Sequence, residues 1–262
     1  MKDKSEWLSF HPCGLAPANF SLDELRNVKQ VHSLLTEPIA GPAGMAYYIR
    51  GFRYLLFFGI ACIAEDKYPP LTRCWKDLEQ LFMGDPAFDD GLFVESWILM
   101  DFPFGPKRQT ALDHFQEFLK ATDMGTHLQR FVDEARRSRL GLHQDVMRTK
   151  KVAKFRELFT GNVMEAVPSV EGYGNGEILL TRTMEYDGQT FIFGDPKGFP
   201  REKRSAIENM VANKLFFFDD AETPVAQYET FMKLAGPYWM SCVAENNELP
   251  ILAPDHYLTY LG

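Results

Sequence analysis

The sequence predicts an α+β protein with a helical N-terminal region, a small antiparallel β barrel-like or curled sheet module, and a helical C-terminal region. Apolar residues recur at helical spacing before residue 140 and again after residue 200. Between these regions, short apolar runs alternate with tight-turn signals. The 262 residues are 45% apolar and 24% charged, as in proteins that bury a sizeable core. We therefore divide the chain into a helical domain, residues 1–140, and a β module with C-terminal helices, residues 141–262.

The N-terminal helices are predicted from caps and breakers. Ser21 and Glu24 have the spacing of a capping box. The helix expected over 43–66 contains an 11-residue uncharged apolar run, Tyr54 to Ala64. That run is shorter than the roughly 20 residues that cross a bilayer, so we expect a buried core helix and no membrane span. Further helices are expected over 71–83 and 91–100, and after caps at Thr110 and Thr126.

The β module is predicted from five short runs that turns separate. Asp187-Gly188 is a strong hairpin signal between the last two runs. Helices are expected from Pro200 and from Thr223-Pro224, the second stopping at Gly236-Pro237. The expected strands are 143–149, 152–158, 163–167, 178–186 and 189–193.

Charge and cysteine content restrict the function classes. The net charge is −8, from 28 basic and 36 acidic residues, which argues against a protein that coats DNA or RNA generally. The first residues include acids and lack an apolar segment, so no secretory signal is predicted. Four cysteines without a CxxC pair predict neither a disulfide framework nor a zinc knuckle. We expect a cytoplasmic protein with reduced thiols, no metal and no cofactor.

Catalytic motifs do not emerge from the sequence. Gly172 to Gly176 reads G-x-G-x-G but precedes a predicted strand, so the helix N-terminus that holds phosphate is missing. Ser241-Cys242 with His256 is the best local nucleophile and base, and there is no G-x-S-x-G elbow. The histidines are scattered along the chain. These observations favour a non-catalytic protein.

Two acids are candidates for burial. Glu95 lies inside an aromatic helix and Asp101 ends it. Burial raises the pKa of a carboxyl group and could suit it to acid–base work. The alternative is an ion pair with Arg50, Arg53 or Arg182.

One basic cluster falls on the first predicted hairpin and can form a positive patch on an acidic protein. Basic residues with an interleaved aromatic ring are typical of single-stranded nucleic-acid binding. The alternative is a solvated hairpin edge on which lysines block aggregation. The candidate binding residues are Arg148, Lys150, Lys151, Lys154, Phe155, Arg156 and, on a later strand, Arg182.

Four segments resemble an uncharacterised bacterial family associated with SEC-C motif proteins. They are 93–101 (FVESWILMD), 110–115 (TALDHF), 156–161 (RELFTG) and 176–182 (GEILLTR), within residues 88–215. Glu157 and Glu177 replace aspartates of the family pattern, and the Cys-rich C-terminal motif is absent, since only Cys242 and His256 lie near the end. The resemblance implies a helical front, a small β module and a helical back. It implies no activity and no SEC-C zinc site.

Three hypotheses follow for function. The first is a non-catalytic binding or adaptor protein whose β module recognises an unknown protein partner. The second is an RNA- or nucleotide-binding protein that uses the basic hairpin 148–156. The third is a hydrolase with a composite acidic or histidine site.

Overall fold

The computed structural model describes residues 21–26, 43–82, 92–122, 125–148, 153–167, 178–215 and 223–243. It confirms the mixed α+β class, with a closed barrel in the middle of the chain and helices on both sides of it in sequence. The chain forms two compact units. One combines Met1–Arg136 with Pro237–Gly262, and the other is Arg137–Gly236. The domain boundary at residue 140 stays a prediction.

The helices of the first unit follow the predicted order. They are α1 (Leu22–Leu25), α2 (Ala43–Ala64), α3 (Pro69–Phe82), α4 (Leu92–Met100), α5 (Ala111–Leu119) and α6 (Gly125–Arg137). The capping boxes at Ser21 and Thr110 are both formed. The cap predicted at Thr126 is wrong, because α6 already begins at Gly125.

Helix α2 lies in the core of this unit. It is long and apolar enough to cross a membrane by length and composition alone, but 78% of its most apolar 18-residue window is buried inside the structure. The Tyr54 hydroxyl donates to the Leu25 carbonyl at 2.8 Å. The rings of Phe58 and Phe115 pack 5.5 Å apart, centre to centre. Gly51 lets the Phe131 ring approach the helix backbone so closely that an added Cβ would lie 2.4 Å from it. The burial and these contacts agree with the core helix predicted from sequence.

The second unit is built on the barrel. Its strands are β1 (Leu140–Arg148), β2 (Ala153–Glu157), β3 (Val163–Val167), β4 (Ile178–Tyr186) and β5 (Gln189–Phe199). The strands lie in the order β1-β2-β3-β5-β4. All neighbours are antiparallel except β3 and β5, which run parallel through two residue pairs and close the barrel. The turn at Asp187-Gly188 has positive φ angles at both residues, as a two-residue hairpin turn requires.

Short helices follow the barrel. A 3-10 turn spans Arg201–Lys203, and α7 (Arg204–Leu215), α8 (Pro224–Leu234) and α9 (Gly236–Val243) come after it. Thr223 caps α8, with Pro224 at its first position, as predicted. Helix α8 ends at Leu234, before the predicted stop at Gly236-Pro237, and these two residues begin α9. Proline is accepted in a first helical turn because the N–H it lacks has no partner there.

The barrel interior is defined by register and packing. Ala153, Phe155, Ala166, Leu179 and Ile192, from β2 to β5, form one buried cluster. Strand β1 contributes His143, which is paired with Glu157 on one side and with Leu179 on the other. Residues that pair across strands point to the same side of a sheet. His143 and Glu157 therefore face inward, and their chain neighbours Gln144 and Arg156 face outward.

Candidate functional site: an exposed face of the barrel

The outward residues of β1, β2 and β3 form two cross-strand rows. Gln144, Arg156 and Val163 form the first row. Met147, Lys154 and Glu165 form the second row. The register shifts between Asp145 and Met147, and Val146 is the extra residue there. We call the six residues of these two rows, together with Val146, the β1–β3 face.

Apolar exposure is concentrated on this face. In the part of the chain that the structure describes, the exposed large apolar side chains are those of Val146, Met147, Val163 and Val225. All but Val225, which lies on α8, belong to the β1–β3 face. Val163 is the most exposed of them, at 56%. Exposed apolar side chains that gather on one surface are typical of interaction sites.

The charges of the face are partly compensated. Lys154 Nζ lies 2.6 Å from Glu165 Oε1, and both side chains are solvent-exposed. Arg156 is exposed and forms no ion pair within the described residues. The guanidinium of Arg204 bonds to Gln144 at 2.9 Å and to Glu208 at 2.8 Å. Arg156, with apolar Val163 beside it, therefore stands as the uncompensated charge of the described face.

The structure separates the candidate binding residues. Lys154 and Arg156 point outward on β2, whereas the Phe155 ring is only 2% exposed and lies in the barrel interior. Phe155 is therefore unable to stack on a nucleic-acid base, because successive side chains of a strand point to opposite faces. Arg148 ends β1. Its side chain, Lys150 and Lys151 lie outside the described residues.

Arg182 is not a surface residue. It is 1% exposed, and its Nη1 donates to Ser138 Oγ at 2.9 Å. The strand register places this cation on the outward side of β4, opposite Leu140. Its burial removes Arg182 from the set of residues that a partner can touch directly.

The two candidate acids are buried, as the aromatic surroundings in the sequence suggested. Glu95 is 6% exposed in α4, and Asp101 is 5% exposed just after it. The backbone N–H of Asp101 donates to the Trp97 carbonyl at 2.9 Å, which continues the last turn of α4. Their use as an acid–base pair stays a prediction.

A second set of polar residues gathers inside the barrel around Glu157. Arg139 binds the Glu157 carboxylate with both guanidinium nitrogens, Nη2 at 3.1 Å from Oε2. Thr160 Oγ1 donates to the same Oε2 at 2.6 Å. The Arg139 guanidinium also lies 5.1 Å from the centre of the Tyr228 ring, and the Tyr228 hydroxyl accepts the backbone N–H of Leu142 at 3.2 Å. We call Arg139, His143, Glu157, Thr160 and Tyr228 the Glu157 cluster.

The electrostatics of the cluster follow from burial and pairing. Burial by itself raises the pKa of Glu157, but Arg139 and Thr160 outweigh it and hold the pKa below its ordinary value. Burial lowers the pKa of His143 to about 4, although Glu157 opposes that shift. Burial also raises the pKa of Tyr228 well above its ordinary value. The cluster therefore holds an ionised carboxylate, a guanidinium, a neutral imidazole and a neutral phenol at neutral pH.

Sequence reasoning missed this cluster. Arg139 follows Arg136 and Arg137 in the sequence, but it lies beyond the end of α6 and pairs with Glu157. Arg136 pairs with Asp113 at 2.8 Å. One signal was present, since Glu157, Thr160 and Gly161 lie in the turn segment RELFTG. Its pairing with residue 139 is a tertiary contact that local spacing does not encode.

The remaining sequence candidates do not converge on a centre in the described part of the chain. His114 stacks on Tyr68 with ring centres 4.3 Å apart, and burial lowers its pKa. No group of three potential metal ligands occurs among the described residues. Gly172 to Gly176 and His256 lie outside the described residues, as do the side chains of Ser241 and Cys242.

Comparison of the chain with models of known protein families, with curated proteins and with solved structures finds no match. The resemblance to the SEC-C-associated family stays a prediction from the four sequence segments. The case for a function therefore depends on the geometry of this chain alone.

Proposed function

We propose that this protein is a non-catalytic binding or adaptor protein whose β1–β3 face recognises an acidic, partly apolar surface of a cytoplasmic protein partner. One observation carries the proposal. Three of the four exposed large apolar side chains in the described residues lie on this face. Arg156 stands next to Val163 across the β2–β3 pairing, so the face offers an apolar contact and a positive charge together.

The charge pattern indicates the chemistry of the partner. Lys154 is already matched by Glu165, whereas Arg156 has no ion-pair partner among the described residues and is placed to meet a carboxylate. Arginine is suited to this role because its planar fork binds carboxylates in a bidentate manner and is weakly hydrated. Arginine and methionine are both enriched at protein–protein interfaces, and arginine is among the residues that carry most of their binding energy.

A nucleic-acid partner receives less support from the same residues. The interleaved ring of Phe155 faces inward, and Lys154 is neutralised by Glu165. Single-stranded binding draws much of its affinity from base stacking and from uncompensated cations. A nucleic acid is therefore the competing outcome of the experiment below.

The test places a photo-crosslinking amino acid at position 163 in cells of the native host. A matched variant carries it at position 225, which is also exposed and apolar but lies on α8. We expect position 163 to crosslink one protein through an acidic segment, and position 225 not to crosslink that protein. Crosslinks from both positions to the same protein, or a nuclease-sensitive product from position 163, contradict the proposal.

Affinity for the crosslinked partner gives the second measurement. Arg156→Glu should lower affinity at least tenfold, which corresponds to about 1.4 kcal/mol of binding free energy. Val225→Asp should leave the affinity unchanged. Thermal melting of each variant confirms that the fold is retained. Equal affinities for wild type and Arg156→Glu would exclude this face as the docking surface.

A further inference from the structure

His143 is a buried titratable residue that the proposed binding function does not use. It is 3% exposed and lies in the barrel interior opposite Glu157. Gly141 makes room for both side chains, since a Cβ there would lie 2.5 Å from His143 Nε2 and 2.9 Å from Glu157 Oε1. His143 Nδ1 is inaccessible to solvent and has no hydrogen-bond acceptor or donor within the described structure. The ring is thus held beside Glu157 with one nitrogen unused.

The neighbouring contacts connect three parts of the unit. Glu157 ends β2, and Arg139, which precedes β1, binds its carboxylate. The turn after β2 folds back on the same group, because Thr160 donates to the carboxylate and the Gly161 N–H donates to the Glu157 carbonyl at 3.0 Å. Tyr228 joins α8 to β1 through its bond with the Leu142 N–H. Glu157 is therefore the hub of a latch that ties β1, the 157–162 turn and α8.

We propose that His143 is an acid-sensitive release for this latch: transient opening exposes Nδ1 to solvent, and the imidazolium that forms in acid keeps the 157–162 turn and α8 away from β1. In the closed state the new N–H finds no acceptor among the described residues. It would also add a second cation near Arg139, whose charge disfavours the protonated ring. Opening hydrates the imidazolium and separates the two cations.

The groups that surround the His143 ring come from β1, β2, β4, α8 and the residue before β1. Strand β2 supplies Glu157, whose negative charge favours the protonated ring, and Arg139 before β1 disfavours it. Helix α8 supplies Tyr228, which burial keeps neutral. Asp145 follows two residues later on the inward side of β1. Strand β4 presents Leu179 and Thr181 opposite β1, and neither ionises.

The direction and size of the effect follow from proton linkage. Burial lowers the pKa of His143 from 6.5 to about 4 in the closed latch, and opening returns the ring to water. Between these values the open state binds more protons than the closed state, so acid favours opening. The opening constant should rise about tenfold for each pH unit lost, and about 300-fold across the whole interval. Above pH 6.5 it should not change.

Amide hydrogen exchange on the full chain tests the inference. The reporters are the latch amides of Leu142, Leu158 and Gly161, whose N–H groups donate to Tyr228, Leu142 and Glu157 respectively. After division by the intrinsic exchange rate, their exchange should accelerate about tenfold per pH unit below pH 6.5. The control amides lie in the β4–β5 ladder between Met184 and Phe191, away from the latch. These should show no such slope.

Two variants complete the design. His143→Gln keeps a neutral polar side chain and should remove the acid slope at the latch. His127→Gln, at an exposed position of α6, should keep the slope. A slope that persists in His143→Gln, no slope in the wild type, or an equal slope in the β4–β5 ladder each overturn the inference. Because wild-type exchange is decisive by itself, the test does not depend on the folding of His143→Gln. The outcome is independent of the partner-binding proposal.

Discussion

Neighbouring residues of β2 perform opposite tasks. Phe155 and Glu157 point into the barrel, where one packs in the apolar cluster and the other is the hub of a polar latch. Lys154 and Arg156 point outward to the solvent-exposed β1–β3 face. Alternation along a single strand separates side chains that pack from side chains that meet solvent, because consecutive side chains of a strand face opposite sides. Substitutions on the two sides should therefore differ sharply in their effect on stability.

The largest difference is expected between Phe155 and its neighbour. Phe155→Ala removes a ring that is 2% exposed and packed by other strands, so the free energy of unfolding should fall by about 3–5 kcal/mol. Arg156→Ala, one residue later, should change it by less than about 0.5 kcal/mol, since exposed positions contribute little. Urea unfolding of both variants measures the contrast. Equal losses would show that the two sides of β2 are not separated in this way.

The next largest effect concerns the charge of the latch. Glu157→Gln removes the bidentate carboxylate of the partly buried Arg139 guanidinium, which keeps a 3.4 Å contact to the half-exposed Glu229, and breaking such a buried pair costs about 3 kcal/mol or more. The double variant Arg139→Met, Glu157→Gln should recover part of that loss, because the partly buried guanidinium is removed together with its carboxylate. Urea unfolding of the two variants and the wild type gives the coupling. A single variant as stable as wild type would contradict the role of Glu157 as a hub.

A smaller cost is expected where the interior is crowded. Gly141→Ala adds a methyl group against the His143 ring and the Glu157 carboxylate, and overpacking costs about 1–3 kcal/mol. The same substitution in a His143→Ala background should cost less, because the ring that it meets is gone. Thermal unfolding of the four proteins closes the cycle. Equal costs in both backgrounds would place the strain elsewhere.

The sequence predicts most of the barrel strands, but it does not predict how all of them pair or which side chains meet between them. Strand positions followed from local alternation and from turn residues such as Asp187-Gly188, whose positive φ angles satisfy a hairpin. The parallel pairing of β3 with β5 depends on closure of the whole sheet, so no local sequence pattern predicts it. Strand β5 also runs to Phe199, beyond the predicted end at residue 193, and includes Gly194 and Pro196. Glycine and proline are uncommon inside strands, so the local pattern did not predict this extension.

The candidate site also combines features that the local sequence predicts with contacts that only the strand pairing determines. The register that turns Phe155 inward and Arg156 outward is set by pairing with β1 and β3, whereas the sequence shows only that basic and aromatic residues are interleaved. Arg139 pairs with Glu157, which lies 18 residues later at the end of β2, so local spacing does not predict the contact. Local periodicity predicts elements well, but it does not identify which side chains meet across them.

The smallest effect is expected on the outward side, at the Lys154–Glu165 pair. The two charged groups are 2.6 Å apart, but both side chains are solvent-exposed. Water and salt screen such a pair, so Glu165→Gln should lower the free energy of unfolding by no more than about 1 kcal/mol. Its effect on binding is of greater interest, because the freed Lys154 adds a positive charge beside Arg156. If the partner is acidic, Glu165→Gln should raise its affinity and the gain should shrink in high salt. Isothermal titration of wild type and variant at two salt concentrations decides the matter, and a loss of affinity would mean that the partner contacts Glu165 with a cation.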